Sequence, residues 1–408
     1  MAKTARATNR EITLTGLSAS CFEHIDDLVV SFVRKWDVPG VAFALSKNGK
    51  LMHARGYGYS SKETGEPVQP TSLFRIASIS KSITAAAILT LIEEGSLSLG
   101  DRVFELLAIE PPDGKVLNKR LEEITVRHLL QHTGGWNSEK RPLRDPMFQT
   151  KFIAQNMGVE PPASAEVIIR YMLDQKLSFA PGKKYRYSNF GYCLLGRLIE
   201  KTSGMSYESY VAKSVLHPLN ITRMQLGKTR AEHRAHDEVT YYQPNMGTPE
   251  SVFSGTETEV AAPYGSFCLE SNDSSAGWIA SVIDLLRFTR GLDFPDKNWQ
   301  LTQDTIKQIG KRPEAPAWVS YGEPSSYYCG LGWFVRPVGA EQYNYWHSGN
   351  LPGTLSLLTR RADGTSFALL INQRFSGAPE NNLYMSLHSA VDGVKSWPKH
   401  NLFPIFNK

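Results

Sequence analysis

The sequence predicts an α+β protein: one antiparallel sheet built from both ends of the chain, flanked by N- and C-terminal helices, beside a mainly helical domain. Two observations carry the sheet. Val41 to Ser46 and Leu51 to Tyr57 are strand-like runs around Asn48-Gly49, a pair that tolerates the left-handed backbone of a tight hairpin. Near the other end, Thr354 to Thr359 and Thr365 to Ile371 flank Asp363-Gly364 in the same way. A third observation carries the helical part: between the hairpins the apolar spacing is mostly helical.

In chain order, residues 1–20 read as an N-terminal extension, 21–76 and 266–408 as the sheet domain, and 77–265 as the helical domain. Residues 21–36 form an amphipathic pattern. A helix opening near Ser78 is apolar all round, as expected of a buried helix, and stops at Gly95. Further helices are expected near 125–132, with Thr125 as N-cap, and near 165–175, 189–202, 206–216 and 282–291. Gly204 is a C-terminal stop. A last helix, about 380–394, would cover the sheet together with the first. Pro- and Gly-bearing loops at 136–163 and 226–265 exceed the usual connection length, which suits either walls of a cleft or surface insertions.

Composition narrows the function. A chain of 408 residues with 41% hydrophobic and 21% charged residues is ordinary globular material. The net charge of +5 is small for this length and dispersed, so nucleic acid is not the expected partner. No window approaches the roughly 20 apolar residues of a membrane span, and no apolar run of signal-peptide length follows the basic start, so a cytoplasmic protein is expected. Cys21, Cys193, Cys268 and Cys329 are scattered and are expected as reduced thiols. The close histidine pairs, His128 with His132 and His233 with His236, lack the company of a zinc site, so no metal or cofactor is expected.

Chemistry enters at Ser78 and Lys81. Three positions apart on one helix, they share a face. A lysine held at a buried helix loses hydration, which disfavours its charged form and suits it to act as a base toward the serine. The spacing by itself is common; Ser396 and Lys399 repeat it, but with Pro398 between them and no apolar helix behind.

An acyl-transfer site also needs a proton shuttle, oxyanion donors and groups that orient the substrate. Tyr187 and Asn189 lie two apart on a turn before a helix. Tyr187 beside Lys81 would be kept partly ionised and relay protons, and Asn189 suits an ester or amide carbonyl. His347-Ser348-Gly349-Asn350 reads as an edge strand breaking into a glycine turn. There Gly349 would let a ligand approach the backbone, the Asn350 N–H would join that of Ser78 as oxyanion donor, and His347 would bind a carboxylate or carbonyl or assist proton transfer. A rival copy, His132-Thr133-Gly134, ends an expected helix and reads as structural.

Ser78-Ile79-Ser80-Lys81, Tyr187-Ser188-Asn189 and His347-Ser348-Gly349, in this order, resemble the three motifs of the class C β-lactamase superfamily. That superfamily includes low-molecular-weight penicillin-binding proteins, D-stereospecific peptidases and β-lactamase-like esterases. Val38-Pro39-Gly40-Val41, Leu73 to Ser78, Ile124 to Gly135 and Pro181-Gly182 resemble family segments as well, so the likeness runs from about residue 25 to 375. It implies a β-lactamase/transpeptidase-like fold with the site between sheet and helical domain. By motif position it implies Ser78 as the acylated nucleophile, Lys81 and Tyr187 as acid and base, Asn189 as a substrate contact, and His347 with Gly349 as the wall bearing the oxyanion donor.

Two departures bear on substrate. His347-Ser348-Gly349 stands where many β-lactamases have Lys-Thr-Gly, and a histidine holds a carboxylate less dependably. Ala276-Gly277-Trp278 places an indole where the family often has glycine and leucine, which is expected to alter a cleft wall. The sequence therefore predicts a serine hydrolase of small carboxylic esters. A D-amino-acid amidase or peptidase with weak β-lactamase activity, an acyltransferase, and a non-catalytic binder on the same fold are the alternatives. The partner in each case is a small-molecule ester, amide or lactam, and the oligomeric state is left open.

Overall fold

The computed structural model describes residues 11–110, 118–138, 144–244, 247–255, 259–295, 298–314 and 326–406. The first ten residues of the expected extension and parts of both long loops lie outside the described residues.

The strands are β1 (Leu14–Leu17), β2 (Gly40–Lys47), β3 (Lys50–Ser61), β4 (Glu66–Pro67), β5 (Phe74–Arg75), β6 (Gln225–Leu226), β7 (Trp278–Ala280), β8 (Tyr328–Cys329), β9 (Phe334–Gly339), β10 (Gln342–Leu351), β11 (Thr354–Arg360) and β12 (Thr365–Ile371). The large sheet runs β1-β3-β2-β12-β11-β10-β9-β8, with β4 on β3; a small one runs β5-β7-β6. All of these pairings are antiparallel.

Both expected hairpins form. Lys47 pairs with Lys50, and Asn48 and Gly49 take φ of 48° and 73°, as a two-residue turn with the twist of its strands requires. The two ends of the chain then meet where β12 pairs with β2, Ile371 opposite Val41. Period-two alternation sorts the strand residues by face. Val41, Phe43, Leu45, Phe367 and Leu369 pack in one cluster with the Glu23–Trp36 and Glu380–Asp392 helices. Ala42, Ala44, Ala368, Leu370 and Leu358 face the other way, into the larger core shared with the helical part. Small alanines on this inner face let the Val282–Asp293 helix lie close to β2 and β12.

The Ser80–Glu93 helix runs through this larger core and is buried on every side from Ser80 to Leu91. Among the described residues no helix is long and apolar enough to cross a membrane. One expectation fails: β10 does not break at Gly349. It pairs with β9 as far as Trp346 and then continues through Gly349 to Leu351 along β11 alone, and its turn comes later, at Pro352-Gly353, where Gly353 takes φ of 80°.

Candidate active site

Ser78 is delivered by an abrupt change of direction. β5 ends at Arg75, Ala77 takes φ of 48°, and a single 3-10 turn, Ala77–Ile79, leads into the long helix. A left-handed alanine costs about 1–3 kcal/mol, so the surroundings must hold it. They do: the Ile76 N–H donates to the Trp278 carbonyl at 3.0 Å, and the Ser356 hydroxyl donates to the Ile76 carbonyl at 2.8 Å. Gly349 completes the clamp. A Cβ there would lie 2.4 Å from the Ile76 carbonyl and 2.9 Å from the Ala77 Cβ. The glycine therefore admits the backbone that carries Ser78, rather than a ligand as its sequence setting suggested.

Lys81 is wholly buried one turn on. Its Nζ donates to Ser78 Oγ at 3.2 Å, to Asn189 Oδ1 at 2.6 Å and to the Ser275 carbonyl at 2.7 Å. Burial pushes its pKa down to about 7, against a partial upward pull from the Asp145 carboxylate. Once neutral, the amine retains two N–H groups for Asn189 and Ser275, and its lone pair faces the Ser78 hydroxyl. Tyr187 lies beside the pair, its ring 4.9 Å from Lys81 Nζ. The expected partial ionisation of Tyr187 does not hold: burial pushes its phenol well above the ordinary tyrosine value. It stands in the site as a neutral hydroxyl.

Ser188 caps the Asn189–Ser203 helix through its hydroxyl, which fixes Asn189 at the first turn. His132, the rival read as structural, holds this turn in place. Its Nδ1 accepts from the Ser188 N–H at 3.1 Å, and its ring packs 4.3 Å from that of Tyr187. His347 lies across from Tyr187, ring centroids 6.4 Å apart. Burial and the nearby Lys81 push its pKa down to about 3, so it faces the site uncharged. Its Nδ1 is paired with the Ser348 carbonyl at 2.8 Å. A neutral ring does not replace the cation of a Lys-Thr-Gly strand.

Ser348 and Asn350 are exposed. Leu351 and Thr354 close a two-residue turn, so pairs alternate back from it and the Asn350 N–H points away from β11. The pairing with β9 ends at Trp346, leaving the Asn350 edge of β10 beyond it.

Trp278 departs from its expectation as a cleft wall. It is fully buried, and its indole N–H donates to the Tyr207 hydroxyl at 2.8 Å beside Thr84. The indole fills the core behind the helix instead of the cleft. Asp145, in contrast, escaped the sequence reading. Its Oδ2 accepts from Asn189 Nδ2 at 2.5 Å. The only local signal was an Asp-Pro pair, which suits a helical first turn, and Asp145 does cap the Pro146–Phe148 turn. Nothing in the spacing announces a partner 44 residues away.

The beta-lactamase family model matches residues 25–391. Protein flp of Staphylococcus aureus (strain COL) is 28% identical over 337 residues, 82% of this chain, and the chain spans 60% of that relative's length. The octameric penicillin-binding protein homologue from Pyrococcus abyssi is similar at TM-score 0.69 and 26% identity, over 91% of this chain and 77% of the other. The D-amino acid amidase from Ochrobactrum anthropi SV3 shares the fold at TM-score 0.68 and 20% identity, over 92% of this chain and 100% of the other. With the match continuous through both hairpins and all three segments around Lys81, the chain belongs to the beta-lactamase family, on a fold shared by serine hydrolases.

Proposed function

We propose that the protein forms an acyl-enzyme on Ser78 and hydrolyses small, uncharged carboxylic esters. The observation that carries this reading is the setting of Lys81, where two fixed acceptors leave the lone pair of the neutral amine to Ser78. In this reading Lys81 takes the Ser78 proton as Oγ bonds to the ester carbonyl carbon. The N–H groups of Ser78 and Asn350 receive the oxyanion. The tetrahedral intermediate collapses by breaking the bond to the alcohol oxygen, which takes its proton through Tyr187. Water then attacks the acyl-enzyme in the reverse sense, releasing the acid and restoring Ser78.

An uncharged substrate is favoured by the neutral His347 and by Asp145, which together give a carboxylate-bearing lactam or peptide end no cationic wall. A second reading, an amide substrate with a free ammonium group, is favoured by the same Asp145, which is only partly buried. The four free thiols suit a reducing compartment, and we assign the protein to the cytoplasm on that ground.

The test is a panel of p-nitrophenyl esters, D-amino-acid p-nitroanilides and nitrocefin, run with Ser78→Ala alongside. Esters should turn over fastest, with an acyl adduct of one equivalent by intact mass, and Ser78→Ala should lose both. Turnover retained without Ser78 would sink the mechanism. Anilides or nitrocefin outpacing every ester would replace the ester assignment.

A further inference from the structure

Asn189 sits between two charged groups of opposite sign. The ammonium form of Lys81 has only donors and a carboxylate has only acceptors, so one orientation of the amide serves both. Its oxygen meets Lys81 Nζ at 2.6 Å, and its NH₂ meets Asp145 Oδ2 at 2.5 Å. The other Asp145 oxygen accepts from the Met147 N–H at 3.1 Å. Both carboxylate oxygens thus face donors. The Asp145–Asn189 bond joins the 136–163 loop to the Asn189–Ser203 helix.

We propose that Asp145 is a positioning residue: its carboxylate locks the Asn189 amide with the oxygen toward Lys81 and supplies the countercharge that sets when Lys81 yields a lone pair to Ser78. The proposal rests on the serine-hydrolase reading above.

The other groups facing Lys81 are neutral near pH 7. Tyr187 and Tyr192, on the turn and helix of Asn189, have their phenols pushed up by burial. Cys329 on β8 is pushed up to about 12. His132 before the Tyr187 turn and His347 on β10 are pushed down. Asp145 is left as the carboxylate beside Lys81 among the described residues; burial pushes its own pKa up, against the Asn189 and Met147 hydrogen bonds, and its negative charge favours the ammonium form of Lys81. Removing its charge should make Lys81 easier to deprotonate. Releasing the Asn189 amide should act in the same direction, because an NH₂ group turned toward Lys81 opposes its proton.

The experiment is the pH dependence of covalent labelling by a fluorophosphonate probe, with hydrolysis of p-nitrophenyl acetate measured in parallel. Wild type, Asp145→Asn, Asn189→Ala and the double variant are compared. In Asp145→Asn the acid limb of the labelling rate should move down by about one pH unit. The plateau should fall roughly tenfold as the amide loses its fixed orientation. In the Asn189→Ala background the limb should still move and the plateau should not. A limb that stays in place overturns the proposal, as does a change confined to KM, which would make Asp145 a substrate contact. If Asp145→Asn does not fold by circular dichroism, Asp145→Ser, which still caps Met147, carries the same comparison. A wild type that the probe never labels would overturn the serine-hydrolase reading itself, whereas a labelled wild type with an unmoved Asp145→Asn limb overturns only the role of Asp145.

Discussion

Two buried polar clusters in this molecule hold nearly the same kinds of side chain, and only one is arranged for chemistry. Around His53 lie Ser18, Tyr57 and Asp26: His53 Nδ1 meets Ser18 Oγ at 2.9 Å, Nε2 meets the Tyr57 hydroxyl at 3.3 Å, and Tyr57 and Ser18 donate to the two oxygens of Asp26 at 2.6 and 3.1 Å. Phe22 and Phe43 pack against the imidazole. These four side chains close a ring of contacts on one another, and both hydroxyls in it spend their protons on Asp26. Around Lys81, Ser78 stands partly exposed at the end of a strained turn, and once Lys81 loses its proton its lone pair is available to Ser78. A serine, a titratable base and a carboxylate are therefore not enough. What distinguishes a reactive cluster is capacity left unsatisfied at an accessible nucleophile.

The largest expected effects come from the Lys81 cluster: Lys81→Ala and Tyr187→Phe should each slow acylation by about 10²–10⁴-fold. They should do so with little change in thermal stability. Stopped-flow acylation with a p-nitrophenyl ester measures this, and wild-type rates in either variant would mean that the shuttle lies elsewhere.

The opposite pattern is expected at the other cluster. His53→Ala leaves Ser18 and Tyr57 without their ring partner and should cost about 2–3 kcal/mol in urea unfolding. Its fluorophosphonate labelling rate at pH 8 should match wild type. A labelling rate that collapses in the folded variant would couple two regions held separate here.

pH sharpens the contrast, because the two clusters titrate in different windows. Deprotonation of Lys81 at about 7 should make acylation rise through neutrality. His53 has a folded pKa of about 3, below the ordinary histidine value, so the unfolded chain binds more protons between pH 6.5 and 3. His347 is depressed in the same way. Their neutral burial contributes stability that is complete above pH 6.5 and lost as pH falls toward 3. Urea midpoints across this range should decline with acid, and His53→Gln should flatten the decline. The smallest effect is assigned to Trp278. Trp278→Phe removes one hydrogen bond to Tyr207, costing about 1 kcal/mol, and should leave the ranking of ester substrates unchanged. A changed ranking would return the indole to the cleft.

The fold was largely legible because its signals are local. Asn48-Gly49 can turn only a few ways, and alternating Val41, Phe43 and Leu45 must face one layer. Ser188 and Thr125 capped the helices that follow them, as their residue types allow. The three motifs were legible for the same reason, each being a short run with a local shape. Asp145 and the fate of Trp278 were not. Asp145 lies in a loop whose path depends on what it packs against, and an indole near a motif gives no sign of the direction it takes from β7.

By itself, the sequence determined the sheet, its flanking helices and the residues brought to the site. Hydrophobic period, turn chemistry and caps act between neighbours, so the chain states them directly. The tertiary structure alone decided how those residues behave there. It set Lys81 to about 7 and Tyr187 above its ordinary range, and it left His347 uncharged. It also gave Gly349 to the backbone of Ser78 rather than to a ligand. Desolvation and charge depend on everything within several ångströms of a group, whatever its distance along the chain.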